Sequence, residues 1–68
     1  MDDEVRRALA EKVSVPVEIA GRAFGLSRGA AYTAVRNGQI PSLKIGGKYV
    51  IPTAPIRRML GLDRGEAA

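Results

Sequence analysis

Apolar side chains recur at helical spacing near the start of the chain. Val5, Leu9 and Val13 are spaced four residues apart, which places them on one face of an amphipathic helix. Acidic residues occupy the N-terminal end of this stretch, where the partial positive charge of a helix terminus stabilises them. We therefore predict a first helix over residues 2–12, which is interrupted by residues 14–16 with their proline.

Two further helices are predicted on either side of a short turn. Residues 17–24 carry an apolar stripe and are followed by Gly25, the residue type that commonly ends a helix. Ser27 is a favourable N-cap for a helix over residues 28–37, and Gly38 is a natural stop for it. Two short helices joined by so tight a turn predict a helix-turn-helix.

The pattern becomes β-like after residue 38. Residues 40–45 and 48–51 are short β-prone runs around Gly46-Gly47, which predict a hairpin. A two-residue loop would mix charged and apolar side chains on each face, so we predict a three-residue loop with Lys44 opposite Lys48. That register puts Leu43, Tyr49 and Ile51 on an inner face and Ser42, Lys44 and Lys48 on an outer face.

A last helix is predicted over residues 54–60, with Thr53 as its cap and Gly61 as its stop. Its inward side chains are those of Ile56, Met59 and Leu60.

Together these elements predict a mainly α fold with a small β-hairpin, the winged helix-turn-helix. A chain of 68 residues supports a single core. We assign a helical extension to residues 1–13, the winged helix-turn-helix to residues 14–61, and a loose tail to residues 62–68.

Charge is distributed unevenly along the sequence. Between Ile19 and Leu62 there is no acidic residue, whereas seven basic residues occur there. Such a segment favours a polyanionic partner, because each base that meets a phosphate releases condensed counterions. The plainer interpretation is a soluble surface that happens to be basic. The seven bases are Arg22, Arg28, Arg36, Lys44, Lys48, Arg57 and Arg58.

The residues required by most enzymes are missing. The sequence has no histidine and no cysteine, so we expect no proton transfer by imidazole, no thiolate nucleophile, no metal and no cofactor. Gly46-Gly47 lacks the Gly-Lys-Ser/Thr pattern of a phosphate-binding loop. We expect a non-enzymatic protein of the cytoplasm, without a signal peptide, membrane segment or small-molecule ligand.

The third predicted helix carries the candidate functional residues. Arg28, Tyr32 and Arg36 follow one another at i, i+4 and i+8, opposite the apolar face of Ala31, Ala34 and Val35. Small residues at its start would let the backbone enter a major groove, with Arg28 placed to read a guanine. The predicted DNA-contacting residues are Ser27, Arg28, Gly29, Ala30, Tyr32, Thr33 and Arg36 on this helix, Lys44 and Lys48 on the hairpin, and Arg22 near a neighbouring phosphate.

Each of these residues also has a simpler interpretation. Arg28 and Arg36 can be solvated surface charges, Tyr32 can half-bury its ring against the core, and Gly29 can be small by chance. Their coincidence on one helix face, after a Gly-containing turn and before a basic hairpin, favours DNA recognition.

Two segments carry a family resemblance that covers residues 15–60. "GLSRGAAYTAVRNGQIP" and "KIGGKYVIP" resemble the turn, recognition helix and wing of excisionase and MerR-like winged-helix DNA-binding domains. The sequence departs from the family pattern at Ile19, where an acid is usual, and at Thr33, where a base is usual.

The resemblance implies a phage-type excisionase, also called a recombination directionality factor. Such a factor binds double-stranded DNA beside an attachment site, bends it, and promotes prophage excision by an integrase, here expected to be of the tyrosine type. One small module needs cooperative self-association on DNA for tight binding. The first helix either contacts a neighbouring copy or integrase, or merely covers the core.

Two other functions stay open. A small MerR-like transcriptional regulator would use the same domain at an operator, and a protein-interaction module would show no salt-dependent affinity for DNA. The end of the chain at Ala68, without the long dimerisation helix of a full MerR regulator, favours the excisionase.

Overall fold

The computed structural model describes residues 3–62, which form four helices and a three-stranded antiparallel sheet. The fold is mainly helical, as predicted. The tail predicted beyond Leu62 lies outside the described residues. In chain order the elements are α1 (Asp3–Glu11), β1 (Ser14–Val15), α2 (Val17–Ala23), α3 (Arg28–Arg36), β2 (Leu43–Ile45), β3 (Lys48–Pro52) and α4 (Thr53–Leu60).

One hydrophobic cluster joins all four helices to strands β1 and β3. The predicted inward positions Val5 and Leu9 of α1 are buried, so the segment assigned to an extension packs into the same core as the rest. Val13 was predicted on that face, but this was wrong, because α1 ends at Glu11 and the Val13 side chain is 88% exposed. The buried apolar residues are Val5, Ala8, Leu9, Val15, Val17, Ala20, Ala31, Ala34, Val35, Ile40, Ile51 and Ile56.

The C-terminal end of α1 is held by two side chains of α4. Thr53 Oγ1 donates to the carbonyl oxygen of Lys12 at 2.6 Å, and the carbonyl oxygen of Val13 lies 3.0 Å from the same hydroxyl. Arg57 Nη1 donates to the carbonyl oxygen of Leu9 at 2.9 Å and to Thr53 Oγ1 at 3.0 Å. The last carbonyls of a helix lack partners within it, so these bonds join α1 to α4.

Thr53 was predicted to cap the last helix, and this was wrong. The N-cap of α4 is Pro52, and no side chain caps that end. Thr53 is the first residue of α4 and is buried. Its hydroxyl donates to the carbonyl oxygens just beyond the end of α1 and does not cap α4. Met59 was wrongly predicted to face inward: Thr53, Ile56 and Leu60 form the inward stripe at i, i+3 and i+7, which leaves Met59 51% exposed.

Helices α2 and α3 approach each other closely across a connection of four residues, 24–27. Gly25 follows α2 with a positive φ of 75°, as predicted for the residue that ends the helix. Ser27 Oγ accepts a hydrogen bond from Ala30 N at 3.2 Å, so its predicted role as the N-cap of α3 is confirmed. At the crossing, a Cβ atom added to Gly21 would overlap the Cβ atom of Ala31.

The β2–β3 hairpin has a different register from the one predicted. Ile45 pairs with Lys48, and the loop is Gly46-Gly47 alone. Both glycines have positive φ, 59° and 82°, as a two-residue type I′ turn requires. The turn matches the right-handed twist of the strands, and this local geometry set the register in place of the apolar pattern.

The register changes which side chains share a face. Leu43, which was predicted on the inner face, is 54% exposed, and Ile45 is 61% exposed. Ile51 is buried as predicted, and Tyr49 is half-buried. The expected inner position of Leu43 is therefore wrong.

A third strand completes the sheet on the other side of β3. Val15 of β1 pairs with Ile51, and the strand order is β1-β3-β2. This segment was predicted only as an interruption between helices, because two residues are too few to show an alternating pattern. Within residues 3–62, no helix combines the length and apolar character needed to cross a membrane.

Candidate nucleic-acid interface

Helix α3 has the two faces that its sequence predicts. Ala31, Ala34 and Val35 are buried against the core. The opposite side is exposed from the first turn to the last, and its exposed residues are Arg28, Gly29, Ala30, Thr33 and Arg36.

The first turn of α3 is open to a ligand. Arg28 is the first helical residue after the cap, and its side chain is 77% exposed. A Cβ atom at Gly29 would meet nothing within 4 Å, and Gly29 does not adopt positive φ. Neither packing nor backbone conformation requires glycine here, although glycine disfavours a helix by about 1 kcal/mol relative to alanine.

Glu18 connects this turn to α2. Its Oε2 atom accepts a hydrogen bond from the hydroxyl of Tyr32 at 3.1 Å and lies 3.4 Å from Nε of Arg28. Tyr32 is half-buried and packs against the core, so the simpler interpretation of its ring is confirmed. Two predicted DNA-contacting residues thus share one carboxylate, whose role the sequence analysis did not predict.

The pKa of Glu18 lies below its ordinary value of 4.5. The largest cause is a hydrogen bond from its own backbone N–H, followed by the hydroxyl of Tyr32. The guanidinium of Arg28 lowers the pKa further, while partial burial opposes all three. Glu18 is therefore ionised at neutral pH, where it accepts the hydrogen bond of Tyr32 and forms an ion pair with Arg28.

The two hairpin lysines lie on opposite faces of the sheet. Lys44 pairs across the strands with Tyr49, and its Nζ lies 5.6 Å from the centre of that ring, within cation–π range. Lys48 pairs with Ile45 and is exposed on the other face. The predicted common outer face of these lysines is wrong, because the loop has two residues and side chains alternate along a strand.

A cleft of about 430 Å³ separates the hairpin turn from the two helices. Lys48 and Tyr32 line it from opposite sides, and Glu18 lies between them at the start of α2. The cleft places one hairpin lysine beside α3, whereas Lys44 does not line it. The lining residues are Pro16, Val17, Glu18, Tyr32, Gly47, Lys48 and Tyr49.

Arg22 forms an ion pair with a carboxylate of α1. Its Nη2 atom is 3.5 Å from Oε1 of Glu4. The predicted contact of Arg22 with a neighbouring phosphate stays a prediction.

Most acidic side chains lie away from the exposed side of α3 and from the hairpin, on α1, which also carries Arg6 and Arg7. Of the acidic residues described in 3–62, all but Glu18 belong to α1. The exposed side of α3 and the hairpin carry only positive charges, those of Arg28, Arg36, Lys44 and Lys48. In the same part of the chain, no cluster of three or more histidine, cysteine or carboxylate side chains is placed to bind a metal ion. The arrangement suits an extended polyanion.

Comparison with known proteins finds no family model that matches the chain, no similar curated protein and no similar solved structure.

Proposed function

We propose that this protein is a winged helix-turn-helix DNA-binding module that acts as an excisionase. The observation that carries the proposal is the first turn of α3, where Arg28 projects from a capped helix end beside the small residues Gly29 and Ala30. In helix-turn-helix proteins the first turn of the second helix meets base edges in the major groove.

The roles of the basic residues follow from their positions. Arg28 reads a guanine through paired hydrogen bonds to O6 and N7. Arg36 and Thr33, further along the exposed side of α3, contact phosphates and fix the orientation of the helix without reading sequence. Lys48 contacts the backbone from the hairpin, which acts as the wing. Lys44, held against Tyr49, contributes charge from the other side of the wing.

Excisionase is favoured over other DNA-binding functions by the resemblance of the turn, helix and wing segments to that family. In that role the protein is non-enzymatic and works in the bacterial cytoplasm on double-stranded DNA, together with a tyrosine-type integrase. A single module buries only about 600–1,000 Å² on DNA. Adjacent copies therefore bind cooperatively and bend the site.

A gel-shift titration at several salt concentrations tests the DNA-binding part of the proposal. The probe is attachment-site DNA of the source genome, compared with random duplex of equal length. We expect a stepwise ladder on the attachment DNA whose affinity falls steeply with salt, by a log–log slope of about 0.9 for each phosphate contact. No shift on either duplex at low salt would eliminate DNA binding in favour of a protein-interaction module.

Matched charge variants locate the interface. Lys48→Gln should weaken binding to all duplexes and reduce the salt slope by about 1. Arg6→Gln makes the same change of charge on the exposed surface of α1 and should leave the slope unchanged. Equal slopes for the two variants would place the DNA elsewhere on the molecule.

A recombination assay then separates excisionase from regulator. With integrase supplied, addition of this protein should increase excision of a marked prophage segment and decrease integration. Specific binding to an operator without any effect on recombination would indicate the MerR-like regulator.

A further inference from the structure

In the part of the chain that the structure describes, the guanidinium of Arg28 forms one ion pair, through its Nε side. Its Nε atom faces Glu18 Oε2 at 3.4 Å. Within residues 3–62, its two Nη groups have no hydrogen-bond partner. A guanidinium offers five N–H donors in a fixed plane. With Nε facing Glu18, the two terminal nitrogens are left to donate to O6 and N7 of one guanine.

The carboxylate that holds Arg28 is itself anchored. Tyr32 donates to the same oxygen, Oε2, at 3.1 Å, and the backbone N–H of Glu18 also donates to the carboxylate. The Glu18 side chain is 38% exposed, against 77% for Arg28. In this pair the carboxylate is therefore the fixed member, and the arginine is the end that reaches into solvent.

A long arginine side chain loses rotamer freedom when it is fixed on a base, and this loss opposes binding. A carboxylate that orients the guanidinium before DNA arrives reduces that loss. The same carboxylate repels phosphates, so its effect on general affinity is opposite to its effect on discrimination.

We propose that Glu18 and Tyr32 are specificity-determining positioning residues: Glu18 aligns Arg28 for a single guanine, and Tyr32 fixes the carboxylate of Glu18. The inference rests on the proposed DNA-binding function. It predicts that loss of the carboxylate lowers discrimination at that guanine while it raises affinity for random duplex. A carboxylate that only masked Arg28 would instead lower both the discrimination at the guanine and the affinity for random duplex. Its removal would then raise both quantities.

Selection from a duplex library with a randomised core, followed by sequencing, tests this proposal. The wild-type protein defines the preferred site, and Arg28→Ala identifies the guanine that depends on Arg28. A bidentate contact discriminates against a wrong base by about 5- to 150-fold. For Glu18→Gln we expect at least a fivefold loss of preference at that position alone, and tighter binding to random duplex.

Two further variants test whether the effect comes from the Glu18–Tyr32 contact and not from a general change in charge. Tyr32→Phe keeps the half-buried ring and removes only the hydroxyl, so the protein should still fold while the preference at the same guanine falls. Glu11→Gln removes one negative charge from an exposed position of α1 and should leave the selected site unchanged.

The possible outcomes are distinguishable. An undiminished guanine preference in folded Glu18→Gln and Tyr32→Phe proteins would overturn the proposal, as would a rise in both discrimination and general affinity. A wild-type protein that binds DNA but selects no sequence would overturn it while leaving the DNA-binding function intact. A wild-type protein without any affinity for DNA would overturn the proposed function itself.

Discussion

Gly21 of α2 and Ala31 of α3 meet at the point where the two helices cross, and the glycine has no room for a Cβ atom. Both residues are buried. Because the crossing has only an alanine methyl between the two backbones, α3 sits close to α2. This closeness lets Glu18 of α2 reach Tyr32 and Arg28 of α3.

Gly21→Ala should therefore lower the free energy of unfolding by about 1–3 kcal/mol, the usual effect of overpacking in a core. The added methyl meets the Cβ of Ala31 and cannot rotate away, so one helix must move. Urea unfolding followed by circular dichroism measures the change. The matched control is Gly29→Ala, where the space is open. Equal stability of the two variants would contradict the close approach of α2 and α3 at Gly21.

Gly29→Ala should separate folding from DNA binding. It should keep or raise the free energy of unfolding, by up to about 1 kcal/mol, because alanine is the better helix former. If the first turn of α3 lies deep in the major groove, the same methyl should weaken binding to attachment-site DNA. A parallel gel shift and urea titration show both effects, and unchanged affinity would argue against close backbone approach.

Thr53→Val should destabilise the fold by about 1–3 kcal/mol. It keeps the shape but removes a buried hydroxyl that donates to the carbonyl oxygens of Lys12 and Val13, just beyond α1, and accepts from Arg57. Thr53→Ser keeps the hydroxyl and is the control. Thermal unfolding compares the two. A valine variant as stable as the serine variant would show that the α1–α4 bonds contribute little.

The hairpin register predicts opposite outcomes for two isoleucines. Ile45→Ser should change the free energy of unfolding by less than about 0.5 kcal/mol, as expected for an exposed position. Ile51→Ala should cost about 2–5 kcal/mol, because its side chain is fully buried. Denaturant unfolding of both variants checks these positions, and a large loss for Ile45→Ser would contradict the exposed position that the observed register gives it.

The stability of the fold should depend on pH through the carboxylate of Glu18. Its pKa is lower in the folded chain than in the unfolded chain, so ionised Glu18 stabilises the fold above its unfolded pKa. That contribution is lost as pH falls from about 4.5 through the folded pKa. Thermal midpoints between pH 7 and 3 should therefore fall less for Glu18→Gln than for the wild type. Parallel pH curves would show that the carboxylate does not contribute.

Local patterns in the sequence were sufficient for much of the candidate site. The Ser27 cap and the buried face of Ala31, Ala34 and Val35 were predicted, since capping and helical periodicity act over a few neighbouring residues. Gly21 and Glu18 were missed as site residues because their partners lie on the next helix. Their importance depends on how closely α2 and α3 pack, which no local spacing shows.

The sequence by itself therefore determined the helices, the hairpin and the basic character of the central segment, because each depends on contacts between near neighbours along the chain. Tertiary structure decided the rest. The contact of α4 with the end of α1 made Thr53 a buried bridging residue and not a cap, and the α2–α3 crossing brought Glu18 to Arg28. Each outcome depends on atoms far apart in sequence, whose positions are set only when the core packs as a whole.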